Sequence, residues 1–326
     1  MSGFTRRTLG ALALGAAALT TRRADAQAWP ARPVTVVVPW PPGGITDILA
    51  RGLARHYGEV FGQSFVVENR SGATGNIGTQ SVARAAPDGH TLLVTTNGPI
   101  TNNTLLYRSM PYNPLTDLAP IGLLADLPAV IVVRRDAPFR TVQELIAHAR
   151  ANPGKLNCGV PGNGAAAHLA SALFQHRTGA SYTHVPYRGS APLTADLLGG
   201  AVDMAFDLVT TYVPHIQAGT LRAIGITSRG PLPLLPDIQP IAAQGVADFE
   251  ATGWVAVLGP ARLPAEIVQR LNEAARSFIA KDETRAMLVN AGAATLTGGP
   301  AELTRKMEAE VALWRPIVQA AGITLE

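Results

Sequence analysis

An α/β fold in two lobes, each a mostly parallel sheet flanked by helices with a ligand cleft between them, is what this sequence predicts. About 300 residues beyond the leader are more than one core usually serves. Short β-branched runs alternate with amphipathic helical stretches, as in α/β proteins. That series runs twice along the chain.

The first series opens at Val34–Val38, a continuous run suited to a strand buried on both faces. A helix over 45–61 follows, with Ile48, Leu49, Leu53, Tyr57 and Phe61 spaced along it. Phe65-Val66-Val67 is the next strand, 74–85 a helix and 91–95 a third strand, a βαβαβ unit with right-handed crossovers. The second series starts at strand 129–133, and Thr141-Val142-Gln143-Glu144 is a capping box opening a helix. Strands at 156–159, 183–185, 203–206 and 221–226 alternate with helices at 167–177, 191–198 and 211–218. Prolines 231, 233, 236 and 240 mark a loop, and three helices close the chain, opened near Pro264, Asp282 and Pro300.

Residues 1–26 read as an export leader: Arg6-Arg7, an apolar run from Leu9 to Leu19, and the small-residue site Ala24-Asp25-Ala26. The paired arginines suggest the twin-arginine route, with cleavage after Ala26 and a periplasmic product beginning at Gln27. Eleven apolar residues fall short of the ~20 that span a bilayer. Leaving out the leader's four arginines and one aspartate takes 27 basic and 23 acidic residues to 23 and 22. A nearly neutral chain with scattered charge argues against nucleic acid as a partner. Cys158 is the only cysteine, which excludes an internal disulfide and a thiolate cluster and suits a small buried hydrophobe.

Ligands of open α/β sheets bind beyond the carboxyl ends of strands, where loops meet helix N-termini. After the first strand comes Pro39-Trp40-Pro41-Pro42-Gly43-Gly44-Ile45-Thr46-Asp47, whose glycines and free helix N–H groups suit an anion. The same segment is also an ordinary strand-to-helix turn. The second lobe offers Gly162-Asn163-Gly164-Ala165-Ala166-Ala167-His168, which matches G-x-G-x-x-A. A dinucleotide site wants an acidic residue ~20 positions on, and no Asp or Glu lies between Asn163 and Thr194. What remains is a second helix N-terminus suited to a carboxylate, with no cofactor and no metal expected. Asn97 and Thr101 after the third strand, and Tyr187 and Asp207 after later strands, are further ligand candidates at the cleft edge, with core or capping roles as the alternative. His168, Asp207 and Ser190 can be drawn as a hydrolase triad, but no G-x-S-x-G or H-E-x-x-H supports it, and no catalytic residue is expected.

The run Arg32-Pro33 to Val38 with Pro39-Trp40-Pro41-Pro42-Gly43-Gly44-x-x-Asp47, Val67-Glu68-Asn69-Arg70 and Gly75-Asn76-Ile77-Gly78 resembles the Bug family. These are substrate-binding proteins of tripartite tricarboxylate transporters. Ala85-Ala86-Pro87-Asp88-Gly89, Asn152 to Asn157, Gly162-Asn163-Gly164 with His168-Leu169, His184-Val185-Pro186-Tyr187-x-Gly189-Ser190, Asp196 to Gly200 and Phe206-Asp207 continue it. The resemblance implies a periplasmic-binding-protein fold of the type II kind, crossing between lobes near 126 and 249. It divides the chain into 27–126 plus 250–326 and 127–249. It also implies a small carboxylate held by backbone amides in a pincer of the two glycine-rich loops, and a membrane permease as partner. Trp40 stands where the family often has phenylalanine, Ala165-Ala166 where it has hydroxyl residues, and Leu208 where it has asparagine. These departures imply a ligand with an apolar or aromatic body.

A transport receptor, expected as a monomer, is therefore the leading expectation. A ligand-sensing module docking on a sensor protein uses the same closure and stays open beside it, with a hydrolase as a distant third.

Overall fold

The computed structural model describes residues 29–325; the expected leader and its cleavage site lie outside them. The first series forms β1 (Val34–Val38), β2 (Phe65–Asn69), β3 (Thr91–Thr96) and β4 (Leu118–Leu127). The second forms β5 (Ala129–Arg134), β6 (Asn157–Val160), β7 (Thr183–Pro186), β8 (Met204–Leu208) and β9 (Leu221–Ile226). The chain then adds β10 (Gly253–Pro260) and β11 (Ala294–Gly298). They build a six-stranded sheet in the order β11-β4-β10-β3-β1-β2 and a five-stranded sheet in the order β7-β6-β8-β5-β9.

Both sheets are mixed, which corrects the expectation of mostly parallel ones. The expected parallel units are there: β1 pairs with β2 and β3, and β6 with β7 and β8. Antiparallel strands extend each unit, β10 between β3 and β4, β11 on β4, and β5 between β8 and β9. Parallel pairing is imposed where a crossover helix returns the chain to the same edge. β5 and β10 arrive instead from the other sheet, so nothing imposes it on them. β4, β10 and β11 were not expected as strands.

Side-chain alternation sets the layers. Val34, Val36 and Val38 join Leu49, Leu53 and Tyr57 of helix Ile45–Phe61 on one face of the first sheet. Val37 joins Trp254, Leu303 and Met307 on the other. In the second sheet Ile131 and Val133 face one cluster, and Val130 and Val132 the opposite one. β1 and β5 are thus buried on both faces, and each buried Val or Leu contributes about 1.5–3 kcal/mol by leaving water.

The expected helix starts are present. The Thr141 side chain accepts from the Glu144 N–H, and the Glu144 carboxylate accepts from the Arg140 N–H, opening helix Val142–Ala151. Pro264 is the N-cap of helix Ala265–Ala280, and Pro300 is the first residue of helix Pro300–Ala321. That last helix serves both sheets. Its Leu303 and Met307 pack in the first sheet's layer, whereas Trp314, Ile317 and Val318 pack with Leu169 and Phe174 beside the second. Cys158 is fully buried, and burial pushes its thiol up to about 12, so it is an inert core residue. No helix among the described residues is long and apolar enough to cross a membrane.

Candidate functional site

Loop 39–44 is held in shape from behind. Asp47 lies one turn into helix Ile45–Phe61 and is buried. One of its carboxylate oxygens accepts from the Gly43 N–H and from Arg51 Nε, both at 3.0 Å. The other accepts from Asn69 Nδ2 at 2.9 Å, and the same amide donates to the Trp40 carbonyl at 3.0 Å. Burial by itself would raise the Asp47 carboxyl, but hydrogen bonds from Arg51, Gly43 and Asn69 outweigh it and hold it below its ordinary value. Asp47 is thus a loop-shaping group, with its oxygens already engaged. Gly43 takes φ +90°, and Gly44 caps the helix without any side chain, so the first-turn N–H groups have no side-chain partner. Pro42, Gly43 and Gly44 are exposed. Trp40 is half-buried, and its indole N–H is buried without a hydrogen-bond partner.

Loop 161–165 is built differently. Gly164 takes φ +71°, and its N–H donates to Nδ1 of His168 at 3.1 Å. The His168 ring sits edge-on to His184, with centroids 4.6 Å apart, and burial takes both imidazoles down to about 4, so they are neutral at pH 7. A neutral ring is required here, since imidazolium has no acceptor. Asn163 is exposed and donates to the Thr324 carbonyl at 3.1 Å. Ala165 caps helix Ala166–Thr178 with no side-chain bond, leaving a second glycine-preceded helix N-terminus open, with Ala165 and Ala166 half-buried.

The segment after β3 runs between these loops. A methyl group placed on Gly98 would lie 3.9 Å from the Trp40 ring, and one on Gly164 would lie 2.6 Å from Leu106. Asn97 and Thr101, expected as ligand contacts, are buried, and their side chains donate to one Glu310 oxygen at 3.2 Å each. Glu310, on the last helix, also accepts from the Trp254 indole N–H. No local motif marks Glu310, which is separated from Asn97 by more than 200 residues of chain.

At the end of β8 Asp207 is fully buried, and burial raises its carboxyl to about 6. It accepts from the Leu208 N–H at 2.7 Å and the Tyr212 hydroxyl at 3.3 Å. Tyr187 donates to Asp196 at 2.7 Å. His168 is bonded to neither Asp207 nor Ser190 among the described contacts, so the triad drawn from sequence does not form. No cluster of three or more His, Cys, Asp or Glu among the described residues could hold a metal. Leu208, Trp40 and Ile45 all pack against the apolar cluster on one face of the first sheet, which brings the end of β8 to the layer that carries the first loop. Asn69 and Arg51 went unnoticed as shaping residues; the polar Asn69 ending an apolar strand was their signal.

Two helix N-termini without side-chain caps, one beside each sheet, are an arrangement that can hold an anion. Residues 49–323 match the family model described as the tripartite tricarboxylate transporter family receptor. The R. palustris protein Rpa4515, solved with adipate, is 39% identical, with a TM-score of 0.79 over 91% of this chain and 99% of that one. The periplasmic binding protein BugD is 34% identical, with a TM-score of 0.74 over 91% and 100% of the two chains. MatC from Rhodopseudomonas palustris, with bound malate, is 29% identical, with a TM-score of 0.74 over 89% and 100%. The chain belongs to the tripartite tricarboxylate transporter receptor family, the TctC or Bug group of periplasmic solute-binding proteins, which are receptors and not enzymes.

Proposed function

We propose that this receptor captures a small carboxylate with an apolar body, an aliphatic dicarboxylate or an aromatic acid, between two lobes, and delivers it to a tripartite-type membrane permease. The lobes are 27–126 plus 250–326 and 127–249, the leader is removed after Ala26, and the mature protein works in the periplasm as a monomer. The observation that carries this is the pair of helix N-termini uncapped by any side chain, at Gly44–Ile45 and Ala165–Ala166, one on each sheet. Each favours an anion by ~0.3–1 kcal/mol, up to ~2 when partly buried. Micromolar binding needs about 8 kcal/mol, so most of the affinity comes from apolar contact and desolvation. Trp40 and Leu208 supply such surface, and the half-buried Ala165-Ala166 adds no hydroxyl. The adipate of the 39% identical relative is a carboxylate at both ends with a hydrocarbon body, in keeping with such a wall. Pro42, Gly43, Gly44, Asn163 and Gly164 form the loops that lead into the two open helix ends, with the Gly43 and Gly164 N–H groups already engaged by Asp47 and His168, whereas Asp47, Asn97, Thr101 and His168 shape those ends from behind. Tyr187 and Asp207 stand at the second lobe's edge.

The test is a thermal-shift panel on protein beginning at Gln27, refolded to strip any carried ligand. It includes adipate, malate, citrate, aspartate and benzoate. A ligand at ~100 times its Kd stabilises by ~2.7 kcal/mol and raises melting by several degrees. Adipate or benzoate should give the largest shift, confirmed by calorimetry with the acid recovered unchanged. A larger shift with citrate or aspartate overturns the apolar-body assignment, and a flat panel overturns the carboxylate.

A further inference from the structure

We propose that helix Pro300–Ala321 is a third connection between the lobes, and that Glu310 is the positioning residue that pins it to the cleft-side segment following β3. Three observations converge on that carboxylate. Its hydrogen-bond donors all come from the first lobe: Asn97 Nδ2 and Thr101 Oγ1 at 3.2 Å, and the Trp254 indole N–H from β10. Lys306 Nζ, one turn back on the same helix, lies 3.7 Å away. Glu310 stands between Met307, packed with the first sheet, and Trp314, packed with the second. The helix therefore changes lobes over about two turns, and the pin lies between them.

The pinned segment also reaches both loops. Gly98 follows Asn97 and lies against the Trp40 ring, while Leu106 lies against Gly164. Asn97 and Thr101 thus serve the cleft without aiming at it: the Asn97 amide is spent on Glu310, the Thr101 hydroxyl is shared between the Asn97 carbonyl at 2.8 Å and Glu310 at 3.2 Å, and the backbone between them is fixed beside Trp40. A pocket of about 210 Å³, half open to solvent and lined by Glu250, Thr252, Lys306, Glu310, Leu313 and Trp314, borders the helix just where the chain returns to β10. The two strand crossings carry the chain between lobes, and the pinned helix limits how far they swing.

The test uses the full chain without ligand, so it stands apart from the panel above. Spin labels on cysteines replacing the exposed Glu283 and Lys155 report the distance between lobes. Glu310→Gln keeps the shape but offers one acceptor and one NH2, so either Trp254 or the Asn97–Thr101 pair meets a donor. A second variant, Asn97→Ala with Thr101→Val, removes only the cleft-side half of the pin. Both should at least double the width of the inter-lobe distance distribution far below melting. Both should also speed amide exchange at 97–107 and 161–168 at least tenfold. If the two variants melt earlier yet leave that distribution and the exchange at 161–168 unchanged, Glu310 is a stabilising core group only and the proposal falls. Should Glu310→Gln fail to fold, the Asn97/Thr101 variant decides alone.

Discussion

Asp207 shows how much one buried carboxyl changes the pH behaviour of the receptor. Burial raises it to about 6, against about 3.9 in an unfolded chain. The folded protein therefore binds this proton more tightly, so the group's contribution to stability is full below about pH 4 and is lost as pH rises to about 6. The loss amounts to roughly 3 kcal/mol. Asn can keep the bond from the Leu208 N–H and meet the Tyr212 hydroxyl without ever ionising. Melting of Asp207→Asn relative to the parent should therefore rise between pH 4 and pH 7 by roughly 5–10 °C. A difference that stays flat over that range would mean Asp207 is solvated and not raised. At this scale the sequence was partly legible. Asp47, Asn97, Thr101 and His168 were picked for their places after strands, and each does lie there. Their work could not be read, because it depends on partners distant in the chain, Asn69 for Asp47 and Glu310 for Asn97.

The elements that bear the two loops were the most legible. Glycines followed by an apolar-periodic run mark both helix starts, and the helices do begin at Ile45 and Ala166. β4, β10 and β11 escaped notice for local reasons. β4 contains Pro120 and Gly122, β10 ends in Gly259-Pro260, and β11 is short and half-exposed. Those residues read as connectors, yet β4 pairs with β10 across two irregularities in register that absorb them. The helix at Ala166 also allows a test in which stability and binding part company. Ala166→Asp puts a carboxylate in the first turn, which the helix dipole favours by ~0.3–1 kcal/mol. The free protein should melt unchanged or slightly later. Adipate affinity in calorimetry should drop at least tenfold, because the new charge occupies and repels the anion position. Undiminished affinity would show that this helix end does not hold the ligand.

At the scale of the whole molecule, two sheets were legible from the repeated series, while their interlocking was not, since it depends on which strands pair at long range. β10 pairs with both β3 and β4, and it does so from residues 253–260, about 130 positions after β4 ends. Until that stretch leaves the ribosome or translocon, β3 and β4 have no described pairing with each other, and each offers a bare apolar edge. Exposed edges of this kind recruit other chains, and long-range β-pairing is slow to form. The second sheet has no such gap, because all its strands lie within residues 129–226. A chain stopped at Ala251 should accordingly keep the 129–226 sheet yet sediment as aggregate at micromolar concentration. Supplying residues 252–325 as a separate peptide during refolding should restore soluble material. The receptor is thus most vulnerable during its own synthesis, in the interval between translating Leu127 and translating Pro260, which is when a holding chaperone has the most to cover.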